Sequence, residues 1–146
     1  MNRTLAVDCR DKIGQAVTLF GWINTVRDHG KVAFYDLRDA SGIVQTVTRQ
    51  GFSVSSEDVV KIAGTVAARP EALINPNIET GKVEVAIESL EVLSKAAELP
   101  FPIDTDGGDI DESLRLKYRY LDLRRPRLNA NIRLRGEMIS FMRQFL

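Results

Sequence analysis

The chain has 146 residues, 44% of them apolar, with 20 Lys/Arg balanced by 20 Asp/Glu. That suits one small packed domain with an appendage, and without an apolar run of about eighteen residues no transmembrane helix is expected. A single cysteine, Cys9, and a single histidine, His29, exclude an internal disulfide and make a thiolate–imidazole metal site untenable; they fit a reducing, cytoplasmic setting. The first residues, Met1-Asn2-Arg3-Thr4, carry no signal-peptide apolar core. Ala16 to Asn24 is rich in strand formers, and Asp28-His29-Gly30-Lys31 supplies turn chemistry. Val32 to Asp39 alternates, with Ala33, Tyr35 and Leu37 on one face and Phe34, Asp36 and Arg38 on the other. After a turn at Asp39-Ala40-Ser41-Gly42, Ile43 to Thr48 reads as a third strand. Val59 to Ala67 is a fourth, with Gly64 marking a bulge or corner, and Val83 to Leu93 is a fifth. Between the third and fourth, Ser55-Ser56-Glu57-Asp58 has the chemistry to cap at most one helical turn.

Five strands with an early meander predict a mainly β fold, a five-stranded Greek-key OB-fold barrel, rather than a generic sandwich. In that architecture strands 2 and 3 and the loops after strands 1 and 4 form the binding surface. Those loops are Thr25 to Lys31 and Arg69 to Lys82, the second long and rich in Pro, Asn and Gly. Phe34 has two readings. Beside Asp36 and Arg38 it is a stacking platform for an unpaired base; alternatively it packs in the core and the strand is bulged. Gln45 offers a donor and an acceptor to a base edge, Arg27 and Arg69 flank the face, and Glu84 accepts from base amino groups. Asp36, Arg38 and Asp39 read as structural ion pairs.

Charge is segregated along the chain. Residues 71–114 hold 2 basic and 11 acidic side chains, and residues 115–146 hold 9 basic and 2 acidic. The basic tail meets a polyanion or acidic surface of its own protein, or is simply a solvated face with intramolecular pairs. Asp104, Asp106, Asp109 and Asp111 lack the glycine spacing of a calcium loop and read as a solvated acidic linker. Pro126 suits a helix start. Beyond it, Leu128, Ile132, Ile139, Met142 and Leu146 form one apolar stripe and Leu134, Met138, Phe141 and Phe145 an adjacent one. So apolar a helix needs a partner surface, and the expectation is self-association or partial disorder.

Three sets of residues carry a resemblance. Gly21-Trp22-Ile23-Asn24 is followed by Arg27-Asp28-His29-Gly30, Phe34-Tyr35-Asp36-Leu37-Arg38-Asp39 and Gly42-Ile43-Val44-Gln45. Gly64-Thr65-Val66, Ile74-Asn75-Pro76 and Thr80 to Val85 continue in order, and Leu116 to Pro126 closes the series. Together they resemble the N-terminal part of bacterial-type aspartyl-tRNA synthetases. The resemblance implies an anticodon-binding domain over 1–104, a hinge over 105–126 and the first helix of a missing catalytic domain over 127–146. It implies that Phe34 stacks on the central anticodon uridine, that Gln45 hydrogen-bonds it, and that Arg27, Arg69 and Glu84 surround the flanking bases. For His29 it implies relaxed recognition of the third anticodon base, so that tRNA(Asn) is read as well as tRNA(Asp); the alternative is an exposed turn residue without a role. The parent enzyme would be a homodimer that uses ATP and Mg²⁺, with neither cofactor nor catalytic residue in this stretch. Two departures stand out: the Arg49 to Asp58 connector is short, and Ala72-Leu73 replaces more polar loop residues. A free-standing OB-fold module binding single-stranded nucleic acid or a protein is the alternative function.

Overall fold

The computed structural model describes residues 3–146; Met1 and Asn2, part of the N-terminal stretch read above, lie outside it. Contacts divide the chain into two compact units, Met1–Ala97 and Glu98–Leu146. The first is a closed five-stranded barrel built from β1 (Ala16–Asp28), β2 (Ala33–Arg38), β3 (Ile43–Thr48), β4 (Val59–Ala68) and β5 (Val83–Ser94). Around the barrel the order is β1-β2-β3-β5-β4, with β4 pairing back onto β1. Every ladder is antiparallel except β3–β5.

One strand must serve two neighbours for this closure. The first half of β1 pairs with β4 and the second half with β2. The change of direction sits at Asn24, a bulge between Ile23 and Thr25. Close backbone approach occurs at two glycines: a Cβ on Gly21 would lie 2.3 Å from the Arg38 carbonyl oxygen, and one on Gly64 would lie 2.1 Å from that of Ala86. The β4–β5 register also shifts at Ala63/Gly64, so the glycine does mark a bulged corner.

Inside the barrel lie Leu19, Ile23, Tyr35, Leu37, Val44, Ile62 and Val85, joined by Cys9 from a short 3₁₀ helix, Val7–Asp11, and by Ala6 just before it. Burial pushes the Cys9 thiol up to about 11, so it behaves as a small core residue. The β2 alternation is as the sequence predicts: Ala33, Tyr35 and Leu37 are buried and Phe34 is only half-buried, outside the core cluster. The core-packed reading of Phe34 is therefore wrong, and the bulge lies in β1 instead.

Residues 49–58 form no helix. The Tyr35 hydroxyl accepts from the Phe52 N–H, and buried Asp58 accepts from the Ser55 and Ala96 N–H groups and from Lys95 Nζ. Those hydrogen bonds outweigh burial and hold the Asp58 carboxyl below its ordinary range. The structural ion pairing expected of Arg38 and Asp39 is also present, with Glu57 and Arg3 as the respective partners. Arg38 spans Asn24 and Glu57, and Asp39 accepts from the Ala6 and Ser41 N–H groups.

The second unit has its own small core, Phe101, Ile103 and Leu121, with Tyr118 and Leu114 against it. Residues 98–104, read above with the barrel, pack here. Three helices follow: α1 (Glu112–Lys117), α2 (Arg119–Asp122) and α3 (Pro126–Phe145). Asp111 caps α1 through the Leu114 N–H. Asp122, fully buried, accepts from Arg115 Nε and Nη2, from Arg119 Nη1 and, at 2.8 Å, from Arg125 Nε. Arg125 is itself buried; it donates to the Thr105 hydroxyl and to the Thr105 and Pro102 carbonyls, and its guanidinium lies 5.5 Å over the Phe101 ring. A Cβ on Gly107 would meet that guanidinium at 2.8 Å. The basic end of the hinge thus folds around one carboxylate, while Asp104, Asp106, Asp109 and Asp111 stay exposed, as the linker reading expects. Along α3, Leu134, Met138, Phe141 and Phe145 are exposed.

Burial raises the Asp122 carboxyl, but its hydrogen bonds with Arg115 and Arg125 win and hold it below the ordinary carboxylate range. A carboxyl depressed in the folded state contributes stability that is complete above its unfolded pKa, about 3.9, and is lost as pH falls through the folded value. The Tyr118 ring resonances should therefore stay native from neutral pH to about pH 4 and lose dispersion below it. Asp122→Asn should already lose that dispersion at neutral pH; an unchanged acid profile in the variant would contradict the assignment.

Candidate nucleic-acid interface

The outward faces of β1, β2 and β3 and the start of the loop after β4 converge on one surface. Arg27 lies on β1 opposite Phe34, so it is a strand residue and not the loop residue expected from the turn signals. Phe34 pairs across β2–β3 with Val47, and Asp36 pairs with Gln45. Glu84 on β5 stands opposite Ala67 on β4, and Arg69 follows that strand, its N–H donating to the Lys82 carbonyl.

These side chains form one connected line. Arg27 Nη2 donates to Asp36 Oδ1 at 2.7 Å and to Gln45 Oε1 at 3.2 Å. Gln45 Nε2 donates to Glu84 Oε2 at 2.9 Å. Arg69 Nε approaches the same Glu84 oxygen at 3.9 Å, near enough for charge attraction but too far for a hydrogen bond. Arg69 Nε and Nη1 are consequently buried donors without a hydrogen-bond partner, on a side chain only 10% exposed. Buried guanidinium donors left without a hydrogen bond are costly. Both donors remain available to an acceptor.

Electrostatics agree with that geometry. Burial raises the Asp36 carboxyl, while the guanidiniums of Arg27 and Arg69 pull the other way and offset only part of the shift. The face therefore carries two arginines against two carboxylates, Asp36 and Glu84, with Gln45 between them. His29 is exposed in the β1–β2 turn, where the Asp28 carboxylate accepts from the Gly30 N–H at 2.7 Å. Its ring meets Phe34 edge-to-face, centroids 5.9 Å apart. The two rings make a short aromatic step at the edge of the polar line.

All six residues singled out from the sequence, Arg27, His29, Phe34, Gln45, Arg69 and Glu84, thus contribute to this surface or its rim. Sequence reasoning missed how they are wired, above all that Asp36 is the partner of Arg27. It also missed a groove of about 520 Å³ lined by Val32, Val47, Thr48, Arg49, Glu84, Ala86 and Ile87. That groove opens because β3 and β5 pair over only two residues before parting. No side-chain spacing within either strand signals it.

A family of OB-fold nucleic acid binding domains, the tRNA anticodon family, matches residues 17–93. The chain belongs to this family. It is 50% identical over 143 residues to the aspartate–tRNA(Asp/Asn) ligase of Syntrophomonas wolfei, covering 92% of this chain and 24% of that protein. It is 48% identical over 145 residues to that of Corynebacterium diphtheriae, covering 94% and 24%. The chain thus spans about a quarter of the length of these relatives. Among solved structures, the aspartyl-tRNA synthetase of Entamoeba histolytica superposes with a TM-score of 0.86 over 99% of this chain and 37% of that one. At 20% identity that likeness speaks for the fold.

Replacing Arg69 by Met removes two unsatisfied buried donors while keeping most of the apolar stem. Urea unfolding should show the Arg69→Met chain more stable, by about 1 kcal/mol. A chain destabilised by as much would mean that Arg69 serves the fold rather than a ligand.

Proposed function

We propose that the outward face of β1–β3, with Arg69 and Glu84 at its border, reads the anticodon loop of tRNA(Asp) on behalf of an aspartate–tRNA ligase. The observation that carries the reading is the conjunction on one barrel face of an outward aromatic, an amide held between charged groups and a buried guanidinium with free donors. Unpaired RNA bases are read by stacking on aromatic rings and by hydrogen bonds to their exposed edges, and this face supplies both. Phe34 provides the stacking surface, with His29 edge-on beside it. Gln45 faces the edge of the stacked base, and Arg27, Arg69 and Glu84 serve its neighbours.

Membership in the anticodon family supports RNA as the ligand class, and the names of the relatives support aspartate as the amino acid attached. Those names cover both tRNA(Asp) and tRNA(Asn). This supports a face that tolerates either third anticodon base, with His29 at its rim. Similarity to the ligases runs past the barrel, over 143 residues. That counts against a free-standing module, which would need only the barrel. The parent would be a cytoplasmic homodimer that uses ATP and Mg²⁺ to activate aspartate and then esterify the tRNA. Among the described residues no group of three or more His, Cys, Asp or Glu side chains is arranged to hold a metal ion, so no step of that chemistry is assigned to this chain.

Titration with anticodon stem-loops tests the proposal. Phe34→Ala should weaken binding of the tRNA(Asp) stem-loop by about 1–3 kcal/mol. The tRNA(Asp) and tRNA(Asn) stem-loops should differ by less than about 2 kcal/mol, near thirtyfold. Unchanged affinity in Phe34→Ala would remove the stacking role, and larger discrimination would remove the dual reading.

A further inference from the structure

We propose that Asp36 is a specificity-determining positioning residue: through Arg27, and together with Glu84 on the opposite side, it locks the Gln45 carboxamide in one orientation, so that the amide discriminates uracil, the base that the resemblance implies at the stacked position, from cytosine. The inference rests on the anticodon reading above and deepens it.

A glutamine is an ambivalent reader. Its carboxamide presents an acceptor and a donor side by side, and a half-turn about its last torsion exchanges them. Uracil and cytosine exploit that ambivalence. Uracil presents an N3–H donor beside carbonyl acceptors; cytosine presents an N3 acceptor beside an amino donor. A carboxamide free to turn can satisfy either base at the same place. Discrimination between the two pyrimidines therefore needs something that stops the turn.

The groups on either side of Gln45 do so, because neither can change its role. A guanidinium only donates, and a carboxylate only accepts. Arg27 Nη2 donates to Oε1 at 3.2 Å, and Glu84 Oε2 accepts from Nε2 at 2.9 Å. Turning the amide would set N–H against N–H at Arg27 and oxygen against carboxylate at Glu84, losing two charge-assisted bonds and adding two repulsions. One N–H and one lone pair of the amide remain for a base. The sense of the amide thus follows from the charges of its partners.

The lock is only as firm as Arg27, a long side chain that is 43% exposed. Asp36 supplies what Arg27 lacks. It sits directly across the β2–β3 ladder from Gln45, its side chain is 17% exposed, and it takes Nη2 at 2.7 Å, shorter than the contact with Gln45. The guanidinium nitrogen is therefore tethered at Asp36 and bridges to Gln45. On the other side Glu84 is drawn toward Arg69 at 3.9 Å. Asp36 makes no contact with the base in this scheme; it acts through Arg27.

The test measures the ratio of affinities of the whole chain for two anticodon stem-loops that differ only in having U or C at the central position. Asp36→Ala should reduce the U-over-C preference about tenfold, chiefly by improving the C stem-loop. Asp36→Asn, which keeps an acceptor for Arg27, should retain most of the preference. Glu84→Gln is an independent variant of similar shape that admits the turned amide; it too should lower the ratio, even if Asp36→Ala folds poorly. Loss of affinity for both stem-loops equally, with the ratio within twofold of the parent chain in both Asp36→Ala and Glu84→Gln, would overturn the lock while leaving the anticodon reading in place. Failure of the unsubstituted chain to bind the U stem-loop would overturn both.

Discussion

Closure of the barrel is the constraint on which the site depends. Five strands close only if β1 is shared between β2 and β4, and that sharing fixes which side of each strand faces the core. On β2 it drives Tyr35 and Leu37 inward, so Phe34 and Asp36 must point out. A one-residue slip would bury the carboxylate and expose Tyr35, at a cost no small domain could absorb. The Asn24 bulge lets β1 turn from β4 to β2 and carries the strand on to Arg27, opposite Phe34. The aromatic and its charged neighbours are thus presented together by the same hydrogen-bond ladders that hold the core.

The face so presented is not optimised for the free protein. Arg69 keeps two buried donors unpaired, and the Asp36 carboxyl is pushed up by burial that its arginine partners do not fully offset. Local deficits of this kind are usual where a surface is shaped for a ligand, since interactions made only on binding leave their groups exposed to a penalty beforehand. The second unit shows the contrary case. Around Asp122, three arginines satisfy one buried carboxylate, and Arg125 is further satisfied by Thr105 and Pro102. There the charges hold local structure together.

Much of the barrel is legible in the sequence because runs of strand formers are bounded by turn residues, with clear alternation on β2. The extent of β1 is not. Turn chemistry at Asp28-His29-Gly30 correctly ends the strand, yet the bulge that carries Arg27 onto it has no periodic signature. For the site, residue types and the family resemblance identify Phe34, Gln45, Arg27, Arg69 and Glu84. Their pairing is hidden, because the Gln45–Glu84 contact spans 39 residues and depends on a parallel β3–β5 register that no local pattern encodes. In the hinge, charge counting registers a basic tail. It cannot distinguish a solvated arginine from Arg125, which is buried against Phe101 and Asp122.

The central claim is that the outward face of β1–β3 meets an anticodon loop. Amide chemical-shift mapping of the isotopically labelled chain, titrated with the tRNA(Asp) anticodon stem-loop, tests it most directly. The account predicts perturbations concentrated at Arg27 to Gly30, Phe34 to Asp36, Gln45 and Arg69, with Val7 to Lys12 and Lys61 left unmoved. Perturbations confined to Val7 to Lys12 or to α3, with Phe34 and Gln45 unmoved, would contradict it.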